Sequence, residues 1–207
     1  MVLHSLPNTF EIELLRIYMT WDTGRLVGPD DKDWRVPVKE LENRRIRLAE
    51  ALSENGIESA LIDDPVELYW LTGGRQNGII LIGSKDSDVQ TTHWVKRSLE
   101  RAKFESGGDD CPDPIVSQPR MAELVDSIRK IGGTEKPAML EGKIPHSRWK
   151  FMSEKINSLD GESKDCTSIM YNLRERKSDW EVEMLQESGR INKEMFQAIK
   201  ENGGLGK

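Results

Sequence analysis

The six residues from Gly78 to Gly83, GIILIG, constrain the fold more than any other stretch of the chain. A strand points successive side chains to opposite faces, and here both faces are apolar. Such a strand escapes water only in the middle of a sheet covered above and below. The flanking sequence supplies the cover. IESALID (57–63) reads as a short strand stopped by Asp63, Asp64 and Pro65. DVQTTHWV (88–95) reads as a third strand, joined to the central one by the short loop SKDS as in an antiparallel hairpin. Upstream, Val38, Leu41, Leu48, Ala49 and Leu52 recur on one helical face, and Gly56 stands where a helix end is capped. Arg45 falls in the same arc. Its stem is expected to run along the core edge with its charge in water.

Further on, KRSLERAKFES (96–106) reads as a helix ended by Gly107 and Gly108, and DPIVS as a short strand. PRMAELVDSIRKIGG is a helix, with Pro119 in its first turn and Leu124, Ile128 and Ile131 near one face. PAMLEG (137–142) is a strand, PHSRWKFMSEKI a helix and SKDCTS (163–168) a last short strand. A long helix follows, with Ser178 as N-cap, Glu181 completing a capping box and Gly203 at its end. Trp180, Met184, Ile191, Met195 and Ala198 share one face of it, and Val182, Leu185 and Phe196 form a second. One face is expected to pack on the α/β body and the other to wait for a further domain or a second chain. The whole is an α/β domain with a mixed sheet of about five to six strands and helices on both faces. Residues 1–36 read as an extension: FEIELLRIYMTW is a strand or a short helix, and TGRLVGPDDKDW is loop-like. It is either an appendage packed on the body or a partner-binding arm.

The 207 residues carry 30 basic and 36 acidic side chains, a net charge of −6. Such a mixed, acidic balance gives no electrostatic reason to expect nucleic acid. No window approaches the roughly 18 apolar residues of a membrane span. The first residues, MVLHSLPNTFEIELL, do not have the pattern of a signal peptide. Cys111 and Cys166 fit no metal spacing, so two free thiols in a reducing cytoplasm are expected.

Several stretches invite a chemical reading. GGRQNG (73–78) has the glycines of a phosphate loop, but a strand follows it where a helix is needed, and no Gly-Lys-Ser/Thr is present. It reads as a turn that lets the chain re-enter the sheet. Asp63 and Asp64 at a strand end, with Glu141 as a loose third carboxylate, could hold Mg²⁺ for nuclease chemistry. The competing reading has Asp64 capping the turn begun by Pro65. His4, His93 and His146 share no ligand spacing, and there is neither a Gly-x-Ser-x-Gly elbow nor a Cys with a nearby His. No catalytic constellation is complete.

Taken in order, four short signatures resemble the N-terminal part of the creatinase/prolidase family, which includes aminopeptidase P. NRRIRLAEALSENGIESALIDDPVELYWLTGG matches a helix ending in Gly-Ile, a short strand, an Asp-Pro turn and a Tyr-aromatic-Leu-Thr-Gly segment. WVKRSLERAKFES matches the helix after the third strand, and NLRERKSDWEVEML the hinge, here Arg174, Lys177, Ser178 and Glu181. The resemblance covers about residues 38–200. It implies a ribonuclease-H-like fold and a division into an extension (1–36), a non-catalytic α/β domain (37–175) and a hinge with a long helix (176–207). It implies a parent that cleaves proline-containing peptides with two Mn²⁺, Co²⁺ or Zn²⁺ ions held by a downstream catalytic domain, and no cofactor in this chain. It also implies a homodimer in which Thr72, Gly73, Gly74, Arg75, Gln76 and Phe104 gate the partner's site. The apolar faces of the long helix put Trp180, Met184, Ile191 and Met195 at an interface, with either that helix (Trp180–Ala198) or the 1–36 arm in the contact. A free-standing α/β module that binds a partner or small ligand is the alternative.

Overall fold

A computed structural model describes residues 32–85, 88–111, 114–117, 121–132 and 135–202. The expectations for residues 1–31, for Pro119 and for Gly203 lie outside the described residues. The chain divides into two units, Met1–Ile169 and Met170–Lys207.

The first unit is built on a sheet of four strands in the order β1-β2-β3-β4. These are β1 (Ser59–Ile62), β2 (Gly78–Lys85), β3 (Asp88–Val95) and β4 (Ile115–Ser117). The central position expected for GIILIG is observed: β2 pairs antiparallel with both β1 and β3, and Ile79, Ile80, Leu81 and Ile82 are all buried. β4 joins β3 in parallel, which makes the sheet mixed.

The two faces of β2 receive different helices. Ile79 and Leu81 join Leu61 and Trp94 in a core with Leu124, Ile128 and Ile131 of α4 (Met121–Gly132) and Met152 of α5 (His146–Lys155). Ile80 and Ile82 point the other way. There α1 (Val38–Glu54) contacts β1, β2 and β3. It ends as anticipated: Gly56 N–H reaches Ser53 O and Ile57 N–H reaches Leu52 O, with Gly56 left-handed at φ 64°. A shorter helix, α3 (Leu99–Glu105), follows β3.

Three expectations need correction. Among the described residues the sheet has four strands rather than five to six. Pro137–Leu140 and Ser163–Cys166 make only single bridges, Ala60 to Ala138 and Met139 to Asp165, while Glu141 and Gly142 lie in a turn and Thr167 and Ser168 already belong to a helix. Pro137 has no N–H to donate. Leu140 O already accepts Lys143 N–H and Ile144 N–H, so the chain turns before a ladder can grow. The second correction concerns Pro65–Thr72, which is a helix, α2, where the sequence reading saw only a turn. Asp64 caps it, accepting from Val66 and Glu67 N–H, and Pro65 occupies its first turn. Third, the Arg45 guanidinium is not in water: the residue is buried, and its Nε donates to Leu71 O at 2.9 Å.

A further helix, α6 (Thr167–Glu175), leads from the first unit into the second. Its start is set by Asp165, whose carboxylate accepts from Thr167 N–H and from the Thr167 hydroxyl. The second unit is dominated by α7 (Asp179–Asn202). The predicted capping box is present and reciprocal. Ser178 N–H donates to Glu181 Oε2 at 2.9 Å, and Glu181 N–H to Ser178 Oγ at 3.2 Å.

Candidate functional site

The loop Gly73–Asn77 lies between the end of α2 and the start of β2, and its position is decided by how α2 ends. The last carbonyls of a helix have no partner within it. In α2 all four are met. Tyr69 O accepts Gly73 N–H at 2.8 Å. Trp70 O accepts Arg44 Nη1 at 2.8 Å, Leu71 O accepts Arg45 Nε at 2.9 Å, and Thr72 O accepts Ser106 Oγ at 2.6 Å. Two guanidinium groups thus complement the negative end of the helix from α1. Arg44 also pairs with Glu40 at 2.8 Å and lies over the Trp70 ring, 5.3 Å from its centroid.

The chain leaves α2 through Gly73, left-handed at φ 71°, where a methyl would sit 3.1 Å from Glu105 O. Gly74 is equally confined, with Glu105 Oε2 3.1 Å from where its Cβ would be. The same Glu105 oxygen accepts Arg75 N–H at 3.1 Å and Gln76 Nε2 at 3.3 Å, while Oε1 takes Arg101 Nε at 2.8 Å. Arg75 is exposed, and its guanidinium stands 5.7 Å from the Tyr69 centroid. Phe104 lies on the adjoining turn of α3, under the Arg35 guanidinium at 4.7 Å, and its carbonyl accepts Arg35 Nη1 at 3.0 Å. Thr72, Gly73, Gly74, Arg75 and Gln76 are therefore drawn against the C-terminal end of α3, which carries Phe104. Thr72 faces inward, its hydroxyl donating to Leu68 O at 2.7 Å, so it shapes the loop from beneath. Of the residues that hold this surface, Glu105, Ser106 and Arg44 were missed in the sequence, and Arg45 was read as facing water. The signal available for the arginines was two adjacent cations on the apolar arc of α1.

Asp63 and Asp64 do not form an open carboxylate pair. Arg148 Nε binds Asp63 at 2.9 Å, and Lys143 Nζ lies 3.7 Å from Asp64 while bonding the fully buried Glu67. Glu141 is exposed, and its backbone N–H donates to Asp165. His146 is exposed at the start of α5. His93 is buried on β3 at 2% exposure with no hydrogen-bond partner for either ring nitrogen. Burial, aided by the Arg45 charge, lowers its pKa to about 4, so the ring is neutral at pH 7. Cys111 and Cys166 form no disulfide among the described residues, and burial, with the nearby Asp165 charge, pushes the Cys166 thiol up to about 12. Among the described residues, no group of three or more His, Cys, Asp or Glu is placed to hold a metal ion. A two-ion hydrolytic centre thus does not fit the residues described.

On α7 the expected interface residues divide. Trp180 and Met184 are half-buried, whereas Ile191 and Met195 are exposed. Val182, Leu185, Phe196 and Ile199 are exposed as well, Phe196 to 67%.

The sheet order and the helix-covered β2 define an α/β domain. Residues 44–176 match the Creatinase/Prolidase N-terminal domain. The chain belongs to that family. An Xaa-Pro dipeptidase from Pyrococcus furiosus is 26% identical over 164 residues, covering 78% of this chain and 43% of its own. A protein named "Probable dipeptidyl-peptidase 5" from Aspergillus niger is 28% identical over 108 residues, 52% of this chain and 12% of that protein. Among solved structures, an Xaa-Pro dipeptidase from Bacillus anthracis shares the fold with a TM-score of 0.62 at 21% identity, over 78% of this chain and 43% of that chain. The chain spans less than half the length of these relatives. No helix among the described residues is long and apolar enough to cross a membrane.

Proposed function

We propose that this chain is the non-catalytic N-terminal domain of an Xaa-Pro peptidase, acting in dimerisation and substrate gating. The observation that carries the gating role is the Arg75 corner. A cationic side chain stands exposed on a loop whose backbone is tied to α3, an arrangement suited to meeting a ligand without first ordering the loop. Hydrolysis belongs, in this reading, to two divalent ions (Mn²⁺, Co²⁺ or Zn²⁺) in a downstream domain. The substrate is a peptide with proline in second position, as the names of the dipeptidase relatives suggest. The exposed apolar face of α7 supports a role in association, since contiguous apolar surface is kept small on soluble monomers. The compartment proposed is the cytoplasm, and the domain division proposed is an extension (1–36), the α/β domain (37–175) and the hinge with its helix (176–207).

The test joins this chain in frame to the catalytic half of an Xaa-Pro dipeptidase and measures steady-state cleavage of a proline dipeptide. Arg75→Ala and Gln76→Ala are expected to raise KM several-fold, by roughly the 1 kcal/mol of a lost polar contact, and to leave thermal stability within about 0.5 kcal/mol. Unchanged KM in both variants of an active protein rejects the gating role.

A further inference from the structure

We infer that Glu105 is a positioning residue for Arg75: it fixes the backbone of the corner so that the Arg75 guanidinium is presented outward. The inference rests on the gating reading for its functional consequence, but its geometry stands apart from that reading. Glu105 is the last residue of α3, and its side chain is 17% exposed. It has two carboxylate oxygens, and both are engaged by groups other than the Arg75 side chain. Oε2 receives Arg75 N–H and Gln76 Nε2, and Oε1 receives Arg101 Nε. The obvious ion pair between Glu105 and the Arg75 guanidinium is not the one formed. The guanidinium goes instead to the exposed Tyr69 ring, and no ion pair ties it to a carboxylate among the described residues.

Three features make this a designed hold rather than a passing surface contact. Gly74 leaves the carboxylate room to approach, since a Cβ there would meet Oε2 at 3.1 Å. The next residue of α3's exit, Ser106, bonds Thr72 O at 2.6 Å, so the corner is tied at both ends to one short segment. Glu105 is also placed by Arg101, one turn back on the same helix. Hydrogen bonds to a charged group are stronger than neutral ones, which suits a carboxylate for restraining a loop amide. Glu105 belongs to neither apolar cluster of the core, so its loss should loosen the corner and leave the core intact. A guanidinium already held in one orientation loses less conformational freedom on meeting a ligand. Loss of Glu105 should therefore weaken substrate binding without touching the chemical step.

Amide hydrogen exchange on the 207-residue chain tests the geometry. In Glu105→Ala the Arg75 amide is expected to exchange roughly ten-fold faster, with the β2 amides unchanged. Glu105→Gln, which retains an acceptor, should fall between that variant and the wild type. The joined protein described above supplies the functional arm. Glu105→Ala should raise KM as Arg75→Ala does with kcat preserved, and the double variant should be no worse than either alone. A role in stability alone would instead accelerate exchange throughout the domain and leave KM unchanged. An Arg75 amide indifferent to Glu105→Ala, or acceleration of all amides together, overturns the inference. If the corner loosens but Arg75→Ala leaves KM unchanged, the positioning stands and the gating role falls.

Discussion

Arg44 and Arg45 sit side by side on α1 and reach the carbonyls of Trp70 and Leu71 on α2. Both residues are buried, so each has exchanged water for a helix end. Replacing Arg44 by Met keeps much of its apolar stem but leaves Trp70 O without this donor and Glu40 without its ion pair. The expected cost is about 2 kcal/mol of unfolding free energy, read from urea denaturation. His93 carries the second prediction. Its folded pKa of about 4 lies below the 6.5 of an unperturbed histidine. Between those values the unfolded chain binds more protons than the native one, so stability is full above pH 6.5 and is lost as pH falls toward 4. From pH 7 to pH 5 the loss should be about 2 kcal/mol, and His93→Leu should flatten that part of the profile. The burial of His93 and of Arg45 is invisible in a linear pattern. Whether a polar residue on an apolar arc finds an inward partner depends on which carbonyls the neighbouring helix turns toward it.

At the level of elements, α2 shows why a real helix escapes periodicity. Val66, Leu68, Tyr69, Trp70 and Leu71 place apolar side chains all around eight residues, so no stripe marks the buried side. Its end signals were legible, Asp64-Pro65 before it and Gly73-Gly74 after it, but they fit a turn as well as a helix. On α7 the opposite holds: the capping box and the apolar positions were plain, and what covers those positions was not. Leu185→Ser and Phe196→Ser, exposed to 61% and 67%, should each change stability of this chain by less than about 0.5 kcal/mol. If the face mediates association, the same variants should shift the light-scattering mass of the wild type at high micromolar concentration from dimer to monomer. A wild-type monomer under those conditions counts against the dimer proposal.

For the molecule as a whole, the match to the Pyrococcus dipeptidase covers 78% of this chain but only 43% of that relative. Two-ion hydrolysis needs ligands that hold both metals and orient the attacking water. The carboxylates nearest to such an arrangement, Asp63 and Asp64, are occupied by Arg148 and by Lys143 with the α2 cap. Purified residues 1–207 are therefore expected to show no Xaa-Pro hydrolysis with Mn²⁺, Co²⁺ or Zn²⁺. Turnover that co-purifies with the chain and is abolished by chelation would overturn that expectation and the division of labour proposed here.

The central place of GIILIG, the Gly56 helix end and the Ser178–Glu181 box were all determined by residues close together in sequence. Local backbone geometry and two-fold alternation act over a few residues, so a linear reading reaches them. The corner that presents Arg75 was decided elsewhere. Its shape depends on Glu105 and Ser106, about thirty residues downstream, and on Arg44 and Arg45, about thirty upstream. Likewise PAMLEG and SKDCTS had the composition of strands, but how far each could pair was limited by Pro137 and by the turn at Leu140. A backbone group can be satisfied by any donor or acceptor that the fold brings within about 3 Å, and only packing settles which one arrives.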